Sequence, residues 1–238
     1  MLSGRTKPVI LVCGGPAFDR QFMDSAWVVN KTYTTAVTTA GGIPLLPADS
    51  GSAGDYAELG DGLILTGFNS FSPEPTPQRY RRIKAEEIPK RNAFDAALYQ
   101  AFKGAGKPVL GICLGHQVIN EQEGGTTVGH FKCEEGIEHK WLQHPVQISC
   151  ASVLHQLFGV HLIINSRHNN RIGVLAPSLR ATALSPDGVI EAIEHLHLPV
   201  YGVQWHPERM RGDIPDPPEG VDMSPFFAWF IRRCTSVP

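Results

Sequence analysis

The stretch KPVLGICLGHQVIN (Lys107–Asn120) places a cysteine between an apolar run and a segment with the character of a helix. The run Pro108–Cys113 contains no polar residue, which is typical of a strand buried on both faces of a parallel sheet. Gly111 and Gly115 flank Cys113 and permit close backbone packing around a sharp turn. The pattern G-x-C-x-G leaves two interpretations open: a nucleophile elbow that displays the thiol at the end of a strand, or a structural cysteine in the core.

Other runs share this continuous hydrophobicity, and helix-like segments lie between them. The candidate strands are Val9–Cys13, Ile43–Pro47 and Gly62–Thr66. The candidate helices are Ser25–Ala40, which stops at a glycine pair, and Pro89–Lys103, whose proline we expect near the first turn. Strands that alternate with helices predict βαβ units and a doubly wound parallel sheet.

After Gly125 the pattern changes to shorter runs rich in β-branched residues: HPVQIS, HLIIN, RATAL and VIEAIE. We interpret them as antiparallel strands, with a turn at Ser185–Gly188. Tyr201–Trp205 is interpreted as one more core strand, and Ser224–Cys234 as a closing helix with Ser224 as its N-cap. The sequence thus predicts one α/β domain over 1–238, with a doubly wound, mostly parallel central sheet, flanking helices and a small antiparallel sheet.

Composition narrows the class of protein. The 238 residues carry a formal net charge of -2 and no basic run, which argues against a nucleic-acid partner. The five cysteines are scattered without a CxxC pair, so we expect a reducing compartment rather than a disulfide framework. The first apolar run is too short for a signal peptide, and no segment reaches the length of a membrane span. We therefore expect a cytoplasmic protein that does not act at a membrane.

A thiol nucleophile needs a base, and VQWHPE (Val203–Glu208) offers one. His206 follows a predicted strand, and Glu208 lies two positions further on, where an extended chain places side chains on the same side. Pro207 restricts the backbone and favours this geometry. Alone, the pattern is more typical of a surface turn with an incidental ion pair.

The two motifs together resemble the class I glutamine amidotransferase family, whose fold is flavodoxin-like. The chain is most similar to its γ-glutamyl hydrolase branch (peptidase C26), which includes the γ-glutamyl-γ-aminobutyrate hydrolases. The resemblance extends over most of the chain. It covers AGGIPLLP (Ala40–Pro47), DGLILTG (Asp61–Gly67), KRNAFDAAL around Arg91, KPVLGICLGHQ, INSRH (Ile164–His168), LRATALSPDGVIEAIEH (Leu179–His195) and YGVQWHPE.

The resemblance implies an enzyme that hydrolyses a γ-glutamyl amide through a thioester on Cys113. His206 would then move the proton, Glu208 would orient His206, and the N–H groups of Gly67 and Leu114 would form the oxyanion hole. The same resemblance implies a substrate-binding set: Gln117, Ser166, Arg167 and His168. Of these, His168 is expected to support the site rather than to act in catalysis. It implies no metal, no organic cofactor, a small γ-glutamyl molecule as partner, and leaves a homodimer open.

The sequence departs from the usual pattern of this branch at three places, and these departures leave the identity of the leaving amine undecided. Phe68 follows Gly67 where a small residue is usual, and Asn169-Asn170 replace a His-Gln pair. Leu114-Gly115-His116 after the nucleophile is more typical of amidotransferases. The alternatives are therefore a glutaminase subunit that delivers ammonia to a separate synthetase, or a non-catalytic binding protein on the same fold.

A group of possible metal ligands also occurs in the sequence: His130, Cys133, His139 and His144. Their spacing fits no standard zinc pattern, so we interpret them as solvated loop residues and predict no metal site.

Overall fold

The computed structural model describes residues 6–19, 24–48, 52–67, 78–129, 139–213 and 220–235. The strands within these ranges are β1 (Val9–Val12), β2 (Gly15–Asp19), β3 (Asp24–Val28), β4 (Ile43–Leu45), β5 (Gly62–Leu65), β6 (Val109–Ile112), β7 (Thr127–Gly129), β8 (Lys140–Ile148), β9 (His161–Arg167), β10 (Asn170–Ile172), β11 (Leu179–Leu184), β12 (Ile190–His195) and β13 (Val200–Val203). The helices are α1 (Lys31–Thr39), α2 (Ala53–Leu59), α3 (Gln78–Gly104), α4 (Leu114–Gln122), α5 (Val153–Phe158) and α6 (Ser224–Thr235).

One nine-stranded sheet organises the fold, in the order β4-β1-β5-β6-β13-β12-β11-β8-β9. The first five strands run parallel, and the last four continue the same sheet in antiparallel pairing. Two small antiparallel sheets, β2-β3 and β7-β10, stand apart from it. Because β5, β6 and β13 are parallel neighbours, their carboxyl ends meet at one edge of the sheet. The predicted α/β class with a parallel centre is confirmed.

Helices cover both faces of the parallel strands, as the hydrophobicity predicts. The first apolar core packs α1 and α6 against one face, and the second packs α2, α3 and α4 against the other. Alternate residues of one strand therefore serve different cores: Ile10 and Val12 face the first, and Leu11 faces the second. Every residue of β1, β5 and β6 is buried, which is why these strands show no alternation of polar and apolar residues.

The predicted helix Ser25–Ala40 is wrong in its first part. Residues Asp24–Val28 form β3, which pairs with β2, and α1 begins only at Lys31. The tryptophan and valine in this segment suit a strand, and Asn30 caps the helix by accepting the Thr32 N–H at 3.0 Å. The predicted stop is confirmed, because Gly41 adopts φ +94.

Two further helix boundaries differ from the prediction. Pro89 lies inside α3, not near its start, because the helix begins at Gln78. At the carboxyl end, Ser224 is the first residue of α6 and its N–H donates to Asp222 Oδ1 at 2.9 Å, so Asp222 provides the capping oxygen instead. The predicted turn at Ser185–Gly188 is confirmed by the bond from the Gly188 N–H to the Ser185 carbonyl at 2.9 Å.

Across the parts of the chain that the structure describes, no helix combines the length and the apolar character that crossing a bilayer would require.

Candidate active site

Three predicted site residues follow neighbouring parallel strands. Cys113 comes directly after β6, Gly67 lies just beyond β5, and His206 lies just beyond β13. A β-carbon placed on Gly67 would lie 2.9 Å from His206 Cε1 and 3.3 Å from Cys113 Cβ. The sheet thus brings the candidate nucleophile, base and oxyanion donor to one point.

Cys113 occupies a strained turn. It has φ 55 and ψ -101, and it is the one non-glycine residue with positive φ in the described ranges. Its N–H is bound to the Val203 carbonyl at 2.8 Å, which ties the turn to β13. A β-carbon on Gly111 would lie 2.5 Å from the Gly115 carbonyl carbon, and one on Gly115 would overlap the Leu65 carbonyl oxygen. Both glycines are therefore needed for α4 to follow the strand so closely, as the motif predicts.

Leu114 is the first residue of α4. The N–H groups of the first helical turn have no partner within the helix and lie at the positive end of its dipole. The Leu114 N–H thus belongs to the helical turn beside Cys113, and its role in an oxyanion hole stays a prediction.

The candidate base and its carboxylate form a buried pair. His206 Nδ1 lies 2.8 Å from Glu208 Oε1, and Glu208 is fully buried. The local geometry differs from the predicted extended chain, because Pro207–Arg209 forms a single 3₁₀ turn. Burial acts to lower the pKa of His206, but the charges of Glu208 and of a Cys113 thiolate raise it to about 10. The imidazole therefore keeps its proton at neutral pH.

Asn165 fixes the backbone of the candidate base. Its Oδ1 accepts the His206 N–H at 2.9 Å, and its Nδ2 donates to the His206 carbonyl at 3.1 Å. Asn165 belongs to β9, at the far edge of the sheet from the parallel strands. The INSRH stretch contains this residue, but a sequence alone does not indicate that its side chain reaches His206.

Tyr33 is a member of the site that the sequence did not reveal. Its hydroxyl accepts the Gly67 N–H at 3.1 Å and lies 3.4 Å from His206 Nδ1. Burial first, and then the negative charges of Glu208 and Cys113, raise the pKa of this phenol well above its ordinary value. Tyr33 lies within a helix predicted only for packing, and no local motif marks it.

Arg91 orients the peptide that carries the candidate oxyanion donor. Its Nη2 donates to the Thr66 carbonyl at 2.9 Å, and its Nε pairs with Asp95 at 3.2 Å. In a trans peptide the C=O and N–H point in opposite directions, so holding the Thr66 carbonyl aims the Gly67 N–H into the site. The resemblance included Arg91 but gave it no role.

The predicted substrate-binding residues have different surroundings. Gln117 is buried, and its Nε2 donates to Gln204 Oε1 at 3.0 Å and to the Asn170 carbonyl at 3.2 Å. Ser166 is fully buried and donates to the His139 carbonyl at 2.9 Å. Arg167 is half-buried at the end of β9, and His168 faces Glu191. Substrate contact by these four residues stays a prediction.

The departures from the branch pattern fall in different places. His116 is fully buried, and its Nδ1 would lie 2.9 Å from a β-carbon on Gly202, so it packs beneath β13. Burial lowers the pKa of His116 to about 4, which keeps it neutral. Asn169 is exposed and Asn170 half-buried, whereas Phe68 lies outside the described residues.

A family model described as Peptidase C26 matches residues 8–208. The chain belongs to the peptidase C26 family. Among curated proteins, it is 35% identical to the protein NtpR of Enterococcus hirae over 189 residues, covering 74% of this chain and 79% of that protein. It is 30% identical to a γ-glutamyl-γ-aminobutyrate hydrolase of Escherichia coli O157:H7 over 201 residues, which cover 76% of this chain and 78% of that protein. This peptidase C26 member is therefore a hydrolase.

Among solved structures, the fold is similar to that of a Thermoplasma acidophilum protein described as a "putative GMP synthase" component. The TM-score is 0.68, with coverage of 98% of this chain and 96% of the other. At 18% sequence identity, this likeness supports the fold alone.

Proposed function

We propose that this peptidase C26 member hydrolyses a γ-glutamyl amide bond through a γ-glutamyl thioester, releasing glutamate and an amine. The observation that carries the proposal is the strained turn that presents Cys113 where Gly67 and His206 meet. The name of the E. coli relative supports the γ-glutamyl class of substrate.

In the first step, the Cys113 thiolate attacks the γ-carbonyl carbon. The N–H groups of Gly67 and Leu114 stabilise the oxyanion, a contribution commonly worth about 3 kcal/mol for each donor. The carbon–nitrogen bond then breaks, and the leaving amine takes a proton from His206. Because His206 Nδ1 is bound to Glu208, the transferred proton comes from Nε2.

In the second step, water attacks the thioester carbonyl. Neutral His206 accepts a proton from this water, the carbon–sulfur bond breaks, and Cys113 leaves as a thiolate. Glu208 holds the imidazole in one orientation and stabilises its charge in both steps. Tyr33, whose hydroxyl accepts the Gly67 N–H in the ligand-free site, must yield this donor to the substrate oxygen or share it.

The direct test is glutamate release from a panel of γ-glutamyl amides, including γ-glutamyl-γ-aminobutyrate and glutamine. We expect turnover of at least one member, and a loss of at least about 10³-fold in kcat for Cys113→Ala. Cys150→Ala is the matched control, because Cys150 is a free cysteine on the surface and should leave the rate unchanged.

Each rival gives a different result. Glutamine turnover that rises when a synthetase partner is added would indicate a glutaminase subunit. Binding without release from any amide would indicate a non-catalytic protein. Release that persists in Cys113→Ala would overturn the mechanism.

A further inference from the structure

A second group of buried polar residues lies in the antiparallel half of the sheet, and the proposed reaction does not use it. His139, His144, His168 and Glu191 are all buried, and one potential ligand atom from each lies within 4.8 Å of every other. Two of these, His139 and His144, belong to the group that the sequence suggested was solvated. The other two of that group, His130 and Cys133, lie outside the described residues.

A β-bulge aims Glu191 into this group. The pairing of β11 with β12 passes from Ala183–Ala192 to Leu184–Ile190, so Glu191 is the extra residue. A bulge of this kind redirects a side chain out of the regular alternation of the strand. The carboxylate therefore reaches imidazoles from β8 and from the end of β9, although β11 separates β12 from β8 in the sheet order.

In each histidine, the ring nitrogen that does not face Glu191 lies near an oxygen that can only accept a hydrogen bond. His139 Nε2 lies 3.0 Å from Asp187 Oδ2, His144 Nδ1 lies 3.2 Å from the Pro145 carbonyl, and His168 Nδ1 lies 2.9 Å from the Asn170 carbonyl. A nitrogen in such a position is placed to donate its hydrogen to that oxygen. The opposite nitrogen of each ring lies within 3.6 Å of Glu191 Oε1.

The three distances from Glu191 Oε1 to the imidazole nitrogens are close to the ligand separations of a tetrahedral cation site, and the nitrogens lie within 4.8 Å of one another. Glu191 Oε1 lies 3.0 Å from His139 Nδ1, 3.4 Å from His168 Nε2 and 3.6 Å from His144 Nε2. Ligand bonds of about 2.0–2.1 Å in a tetrahedral zinc site separate neighbouring ligand atoms by about 3.3–3.4 Å. A histidine that binds a metal through one ring nitrogen commonly donates its other ring N–H to a carboxylate or a backbone carbonyl, and this contact orients the ring.

We propose that His139, His144, His168 and Glu191 bind one divalent transition metal of the zinc class as a closed, structural site. Three imidazoles and a carboxylate suit Zn²⁺ and its neighbours rather than Mg²⁺ or Ca²⁺, which prefer oxygen ligands. The metal joins β8, β12 and the end of β9. The sequence pattern missed it because the ligands span residues 139–191 and occupy three separate segments.

A proton is the simplest rival occupant of this group. One proton on His139 Nδ1 would satisfy its contact with Glu191 Oε1 at 3.0 Å. A divalent cation would instead take one ligand atom from each of the four residues. The two occupants differ in metal content, which makes them separable by measurement.

The experiment begins with untagged full-length protein purified without chelator. Elemental analysis should find close to one zinc-class metal ion per chain. Removing the ion with dipicolinate should lower Tm by about 5–10 °C, and Zn²⁺ or Co²⁺ should restore it. The Co²⁺ form should show the visible absorption of a tetrahedral site.

Two variants locate the ion: Glu191→Gln and His144→Gln should each bind less than a tenth of the metal. His161→Gln is the matched control, because His161 is an exposed histidine of β9 and should retain the ion. Metal retained by both cluster variants would overturn the proposal. So would native protein whose Tm responds to none of Zn²⁺, Co²⁺, Ni²⁺, Mn²⁺ and Fe²⁺. These readouts do not depend on γ-glutamyl hydrolysis, so the two proposals can fail separately.

Discussion

Buried polar side chains come together in both the parallel and the antiparallel half of the main sheet, but different structural features bring them together. In the parallel half, Gly67, Cys113 and His206 each follow a strand, and the parallel pairing alone brings the three strand ends together. In the antiparallel half, Glu191 and His144 come from strand interiors and meet only because a bulge redirects one of them. The first assembly follows from topology, whereas the second requires exact strand register.

The two halves also differ in openness. Cys113 is only partly buried, as a nucleophile must be if a substrate is to reach it. His139, His144, His168 and Glu191 form the proposed metal site of the antiparallel half, which we call the antiparallel cluster. All four residues are buried, which suits a site that holds one small ion permanently. Variants that separate chemistry from stability can test this contrast.

The largest expected effect comes from Glu208→Gln, which keeps the size of the side chain but removes its charge. The amide cannot stabilise the imidazolium, and we expect kcat to fall by about 10³–10⁴-fold, as for the loss of the orienting carboxylate in other triads. A variant that retains more than a tenth of the native kcat would show that His206 does not depend on Glu208.

The pH dependence of kcat/KM tests the pairing of His206 with Glu208, and the direction of the expected shift is fixed. The pKa of His206 is raised to about 10, so the imidazolium that donates to the leaving amine is lost only as pH rises through that value. The alkaline limb of kcat/KM should therefore lie near pH 10 in the native enzyme and move to lower pH in Glu208→Gln. An alkaline limb at the same pH in both proteins would contradict the assignment.

The residues of the candidate active site differ in how well the sequence predicts them. The close packing at Gly111 and Gly115 was predictable from a short motif next to a strand end, whereas the roles of Cys113 and His206 were predicted from the family resemblance that the two motifs carry together. Arg91, Asn165 and Tyr33 were not assigned roles, because each acts through a contact between segments far apart in the chain. Likewise the sequence predicts helix for the β3 segment, since the pairing of β3 with β2 depends on tertiary structure rather than on local propensity.

An intermediate effect is expected at Asn165, which connects the two halves. Asn165→Leu removes both hydrogen bonds to the His206 backbone, at 2.9 and 3.1 Å, while keeping a similar volume. We expect kcat to fall about 10–100-fold, since misplacing the base by a small distance is costly. If the halves work independently, metal content should stay unchanged in this variant. Loss of the metal with the activity would indicate that the halves are coupled through β9.

The smallest expected effect is that of Tyr33→Phe. The hydroxyl lies 3.4 Å from His206 Nδ1, and a single hydrogen bond that holds the base contributes about 1 ± 0.5 kcal/mol. We expect kcat/KM on the best γ-glutamyl amide to fall about three- to tenfold. A rate above that of the native enzyme would instead show that the tyrosine competes with the substrate oxygen for Gly67.

The turn at Cys113 also constrains how this protein can change over evolutionary time. A side chain held at φ 55 and ψ -101 costs on the order of 1–3 kcal/mol, a cost that glycine at the same position would avoid. Replacing Cys113 with glycine is therefore favoured by folding and opposed by selection for activity. A lineage released from that selection has an easy route to a more stable, inactive descendant that keeps the fold and the antiparallel cluster.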